Sequence, residues 1–189
     1  PSLVGSEMCI RDSIKVVERI HPETIRKSAK GYILDMGQNM VGWVRIQVKG
    51  QAGDSVRLRF AETLQENGEL YTANLRDAQA TDLYILKGEG TEEWAPRFVY
   101  HGFRYVEVSE FPSTPTLTNF VGEVVNDDMP LTGTFECDNP VLNQLVKNAF
   151  WGIRGNYKGM PLDCPQRDER QPWLGDRTTG ALGESFLME

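Results

Sequence analysis

Cysteine is scarce in this 189-residue chain, with only Cys9, Cys137 and Cys164 present. Three is too few for a disulfide framework, and their spacing is not that of a zinc site. Long apolar runs are missing too. No stretch approaches the roughly eighteen residues that a membrane span needs, and no signal-peptide pattern opens the chain. Positive charge is in short supply: 20 Lys and Arg stand against 27 Asp and Glu, a formal net charge of −7 without a basic cluster. That balance argues against nucleic acid as a partner.

What remains is ample for a real core and one or two domains. Residues 1–13 read as foreign. Glu7-Met8-Cys9-Ile10-Arg11-Asp12-Ser13 can be encoded by AG-ATG-TGT-ATA-AGA-GAC-AG, a string that resembles the transposon end used in sequencing libraries. We therefore set them aside as translated adapter. Residues 14–30 read as the tail of a preceding β region.

From Tyr32 the pattern is β. Trp43-Val44-Arg45-Ile46-Gln47-Val48 alternates apolar and polar residues, as does Val56-Arg57-Leu58-Arg59-Phe60. Further strands are predicted over 82–87, 103–108 and 118–125, with residues 66–80 forming an excursion over one face. Short strands separated by Gly, Asn and Pro turns favour an antiparallel β-sandwich over 31–130. Trp43, Phe98 and Tyr105 are expected in its core. His101 is read as structural and His21 as exposed.

Near Thr132 the class changes. Asn139-Pro140 reads as an N-cap followed by proline at the first helical position, where the missing N–H costs nothing. Val141, Leu142, Leu145, Val146, Ala149, Phe150 and Ile153 recur at helical spacing, and Gly155-Asn156 stops the run. A second helix is predicted over 178–188. One helix and part of another do not bury two such faces, so residues 131–189 read as the start of a larger helical domain.

The most informative stretch is Asp163-Cys164-Pro165-Gln166-Arg167-Asp168-Glu169-Arg170-Gln171-Pro172-Trp173-Leu174-Gly175-Asp176. Four carboxylates, two guanidiniums and one Trp fall within fourteen residues punctuated by Pro and Gly, so the backbone is irregular. Charged, Pro-rich stretches are commonly surface loops. Acid–base and sugar-binding sites are built from the same polar groups around an aromatic platform.

Together with Asp35-Met36-Gly37-Gln38-Asn39-Met40-Val41-Gly42-Trp43, Ala61-Glu62-Thr63-Leu64, His101-Gly102-Phe103-Arg104-Tyr105 and Gly133-Thr134-Phe135-Glu136-Cys137, this stretch resembles the bacterial α-L-rhamnosidases of glycoside hydrolase family 78. The resemblance implies a β-sandwich, jelly-roll-like, followed by the first helices of an (α/α)6 barrel. It implies an inverting glycosidase acting on a rhamnose-containing glycoside or polysaccharide, with no cofactor and no metal. Glu169 matches the family's general acid, and neighbouring negative charge with partial burial would hold it protonated. Asp163 and Asp176 match carboxylates that contact the sugar, Trp173 matches an aromatic wall of the subsite, and Arg167 is expected to pair with Asp163 or with sugar oxygens. Asp168 and Arg170 are read as an exposed ion pair or as holding the loop, and Cys164 as a small buried apolar side chain. Gln171-Pro172 departs from the apolar residue and Gly that many relatives carry before this Trp. The second carboxylate, which activates water, is implied beyond Glu189. A carbohydrate-binding sandwich and a glycosidase with another sugar are the alternatives.

Overall fold

The computed structural model describes residues 14–188, so the adapter reading of residues 1–13 lies outside the described residues. Ten strands precede two α-helices among them: β1 (Ile14–Ile20), β2 (Thr24–Ser28), β3 (Gly31–Lys49), β4 (Ser55–Ala61), β5 (Thr63–Leu64), β6 (Leu70–Tyr71), β7 (Thr81–Ile85), β8 (Thr91–Trp94), β9 (His101–Ser109), β10 (Phe120–Asp127), α1 (Pro140–Gly155) and α2 (Leu174–Glu184). Eight strands form one antiparallel sheet along the path β1-β10-β3-β9-β4-β7, with β2 and β8 each pairing to β3.

The long strand β3 curls this sheet into a sandwich. Its first half lies between β2 and β9, pairing Asp35 with Thr24 and with Tyr105. Its second half pairs with β10 and β8, Ile46 facing both Phe120 and Trp94. The register against β9 shifts between Asp35 and Met40, a bulge that bends the strand from one layer to the other. Arg104 clamps the bend with two hydrogen bonds to Asp35, at 2.7 and 2.9 Å.

Inside are Leu34, Met36, Val44, Ile46, Leu58, Phe60, Phe103 and Phe120, all essentially sealed from solvent. Alternation places Val44, Ile46 and Val48 inward, so Trp43 points to the other face. There its indole N–H donates to the buried Glu123 at 2.7 Å. The core expectation therefore needs correction at Trp43 and Tyr105, which are half-buried, and at Phe98, which is fully exposed. Residues 14–30 contribute two strands to the main sheet, β1 against β10 and β2 against β3.

Helix α1 begins as its capping residues dictate. The Asn139 side chain accepts from the Val141 N–H at 2.9 Å, and Pro140 follows. Its last turn docks on the sandwich so closely that a Cβ on Gly155 would lie 2.7 Å from Val41 Cγ2. Trp151 packs against the sandwich core, and Arg154 pairs with Glu18 at 2.9 Å. The opposite, apolar stripe of Val141, Leu142 and Leu145 is exposed. Helix α2 starts at Leu174, four residues before the Thr178 start read from the sequence. Trp173 is its N-cap without any side-chain cap, which is why no sequence signal marks the start.

Candidate active site

The connection from α1 to α2 carries the charged segment. Asp127 accepts from Gly159 N–H through both carboxylate oxygens, at 2.7 and 2.8 Å, fixing the turn after α1 to the end of β10. Residues 163–171 then fold back on themselves, with Asp163 N–H donating to Gln171 O at 3.1 Å. Buried Pro165 and the adjoining Gln166 seat this loop on β9: a Cβ on Gly102 would come within 2.7 Å of Gln166 Cβ. Glycine is what permits that approach.

On one side of the loop lies a cleft of about 520 Å³ between sandwich and helix, lined by Asn39, Glu62, Trp151, Asp163 and Gln166 among others. On its other side is a second cleft of about 420 Å³, lined by Ala80, His101, Arg167, Asp168 and Arg170 among others. His101 there is structural in its contacts. It stacks on Phe60 with ring centroids 4.2 Å apart, and its Nε2 lies 2.9 Å from Asp82. His21 is exposed.

The loop brings Asp163, Arg167 and Glu169 together. Single donor atoms of Asp163, Cys164 and Glu169 all lie within 4.8 Å of one another. The Cys164 thiol donates to Asp163 Oδ2 at 3.0 Å, and burial with that hydrogen bond pushes its pKa up to about 11. Cys164 is half-buried and is a polar partner of Asp163, a correction to its reading as an apolar filler. Arg167 also departs from expectation: its guanidinium pairs with Glu169 at 2.6 Å. A second guanidinium reaches the same oxygen, Arg76 Nη1 standing 2.9 Å from Glu169 Oε2. These are ion pairs without the alignment of hydrogen bonds. Glu169 is three-quarters buried, and beside the expected neighbouring carboxylate it has two guanidiniums against one oxygen.

Trp173 is 48% exposed and Asp176 is exposed in the first turn of α2. Neither lines either cleft. Arg170 turns to an aromatic ring, its guanidinium 5.1 Å from the centre of Tyr100, while Asp168 is exposed. The donor trio at Asp163 fits a metal ion poorly. Two guanidiniums already occupy the Glu169 oxygen, and the thiol is engaged with Asp163 Oδ2.

Arg76 is the residue that sequence reading missed. It lies in the excursion between β6 and β7, far along the chain from Glu169, and no local pattern announces a contact between them.

The fold defines a class, a β-sandwich joined to the start of a helical domain. The model of the bacterial alpha-L-rhamnosidase concanavalin-like domain matches residues 25–126, and that of the bacterial alpha-L-rhamnosidase 6 hairpin glycosidase domain matches residues 130–189. The chain belongs to the bacterial alpha-L-rhamnosidase family. It is 47% identical over 177 residues to an alpha-L-rhamnosidase of Streptomyces avermitilis, covering 93% of this chain and 17% of that relative. A Formosa agariphila alpha-L-rhamnosidase is 47% identical over 150 residues, 78% of this chain and 16% of its own length. The crystal structure of the Streptomyces avermitilis enzyme complexed with L-rhamnose superposes with a TM-score of 0.90 at 46% identity, over 94% of this chain and 18% of that one. The structure from Dictyoglumus thermophilum gives 0.91 at 41% identity, over 94% and 20%. The chain thus spans about a fifth or less of these relatives.

Proposed function

We propose that the whole protein, meaning this chain together with the rest of a six-hairpin domain, is a glycoside hydrolase that releases terminal α-L-rhamnose from glycosides or polysaccharides with inversion. The observation that carries the reading is the convergence at one loop of Glu169, Asp163 and Arg167, beside the sandwich. Glu169 is the general acid that protonates the departing glycosidic oxygen. Asp163 and Asp176 bind sugar hydroxyls and offset the positive charge that develops on the ring. The Trp173 indole offers a face to the C–H groups and methyl of a 6-deoxy sugar. Arg167, adjacent to the acid, donates to sugar oxygens.

Inversion needs a second carboxylate that activates water from the opposite face of the sugar, roughly 6.5–9.5 Å from the acid. Asp163 is too near for that role, with an oxygen within 4.8 Å of Glu169. The base therefore comes from elsewhere in the six-hairpin domain. Proton NMR of fresh hydrolysate tests the reading: β-L-rhamnose appears first, whereas initial α-anomer would overturn inversion. Failure to cleave any α-L-rhamnoside would overturn the function.

A further inference from the structure

We propose that Arg76, contributed by the sandwich, is a positioning residue for Glu169: it anchors Oε2 and so holds the carboxyl in one orientation toward the glycosidic oxygen. The inference rests on the acid role proposed above for Glu169. Three observations carry it. Arg76 Nη1 lies 2.9 Å from Glu169 Oε2. That oxygen is buried, so the quarter of the side chain still exposed belongs to other atoms. With two cations against Oε2, the oxygen that takes up and delivers a proton is Oε1. The acid is thereby held in one orientation toward its substrate.

The backbone of Arg76 is the third observation. It has φ 56° and ψ −124°, a conformation that side chains rarely adopt and that costs of order 1–3 kcal/mol. The strain is held in place from both sides. Leu75 is sealed in the sandwich core, and Ala78 N–H donates to Leu75 O at 3.1 Å. Phe60 N–H binds Ala80 O at 2.9 Å, tying the return of the excursion to β4. A core anchor followed at once by a strained, outward-turned arginine is a device for reaching the loop.

Under the proposed function a division of labour follows. Arg167, the other guanidinium on Oε2, belongs to the proposed sugar-binding set. Arg76 lies outside that set, so it holds the carboxyl while Arg167 engages sugar. The groups facing Glu169 are then Arg76 from the excursion, with Arg167, Asp163 and the Cys164 thiol from its own loop.

The test is kcat of the whole enzyme on an α-L-rhamnoside with a poor alcohol leaving group, beside an activated nitrophenyl rhamnoside that needs little protonation. Arg76→Gln lowers kcat on the poor leaving group about 5–50-fold as the acid loses its fixed orientation, and changes the activated substrate far less. Arg76→Lys, which keeps the charge, returns kcat to within about threefold of wild type. Should Arg76→Gln fold poorly, Arg76→Met keeps the apolar stem and carries the same expectation. Equal losses on the two substrates, or none, in a folded Gln or Met variant overturn the proposal, since an ordinary surface ion pair would alter stability alone. Glu169→Gln run in parallel separates the two claims. If it keeps wild-type rates on the poor leaving group, the acid reading falls and this inference with it. If it loses that rate while the Arg76 variants behave like wild type, only this inference falls.

Discussion

The guanidinium of Arg76 stands 2.9 Å from the carboxylate of Glu169, linking the sheet region to the loop between the helices through a charged contact. Gly102 against Gln166 and Gly155 against Val41 make the same junction through close packing. The sandwich is therefore a structural wall of the candidate site, and its stability bears on the geometry of the loop.

One prediction concerns Glu123. This side chain is completely buried, and it accepts from Trp43, from Arg45 at 2.9 and 3.1 Å, and from Arg19 at 3.1 Å. Burial pushes its pKa up, but the hydrogen bonds from Arg45, Trp43 and Arg19 outweigh it and hold the carboxyl below its ordinary 4.5. A depressed carboxyl stabilises the fold above its unfolded pKa, and the contribution is lost as pH falls through the folded value. Glu123→Ala is expected to cost about 2–4 kcal/mol at pH 7, because two guanidiniums and an indole N–H lose their acceptor. Urea denaturation at pH 7 and pH 3.5 checks this: the difference between wild type and variant shrinks at the lower pH.

Lys158 gives a pH dependence of the same sign in a higher window. It is buried, its ammonium lies 4.7 Å from the centre of the Tyr100 ring, and it donates to Gly155 O at 3.3 Å. Burial lowers its pKa from 10.5 to about 7, against the attraction of Asp127 and with help from nearby Arg170. Between those values the unfolded chain binds the extra proton, so stability rises with pH from about 7 toward 10.5. Lys158→Met should flatten that rise and stabilise the neutral-pH protein by about 1–2 kcal/mol. Thermal melts from pH 6.5 to 9.5 read it directly.

Exposed apolar surface gives a third expectation. Val141, Leu145, Leu182 and Phe186 are 72%, 62%, 74% and 70% exposed. Such a surface on the 189-residue chain alone promotes association. Light scattering should show concentration-dependent oligomers, and the double substitution Val141→Glu with Leu145→Lys should reduce them. A monodisperse monomer at high concentration would contradict this.

Much of the fold was legible because its signals are local. The alternation at Trp43–Val48 and at residues 56–60 gave β3 and β4, and Asn139-Pro140 gave the start of α1 within a residue. Strand β1 was legible only as part of a β region, and β8 was hidden: the short sequence TEEW, partly exposed, carries no clean alternation. At α2, Thr178 resembles a cap, but the backbone enters the helix at Leu174 with no capping side chain. The candidate site was legible as a motif, since its polar groups are consecutive. Its electrostatics were not. The partner of Arg167 and the reach of Arg76 depend on how the loop folds onto the sandwich, which no spacing along the chain encodes.

Glu169 is tested most directly by leaving-group dependence in the whole enzyme. For Glu169→Gln, kcat/KM on a rhamnoside with a poor alcohol leaving group is expected to fall about 10²–10⁴-fold, while an activated nitrophenyl rhamnoside, which needs little protonation, falls far less. Equal losses on both substrates, or wild-type rates on the poor one, would contradict the assignment of Glu169 as the acid.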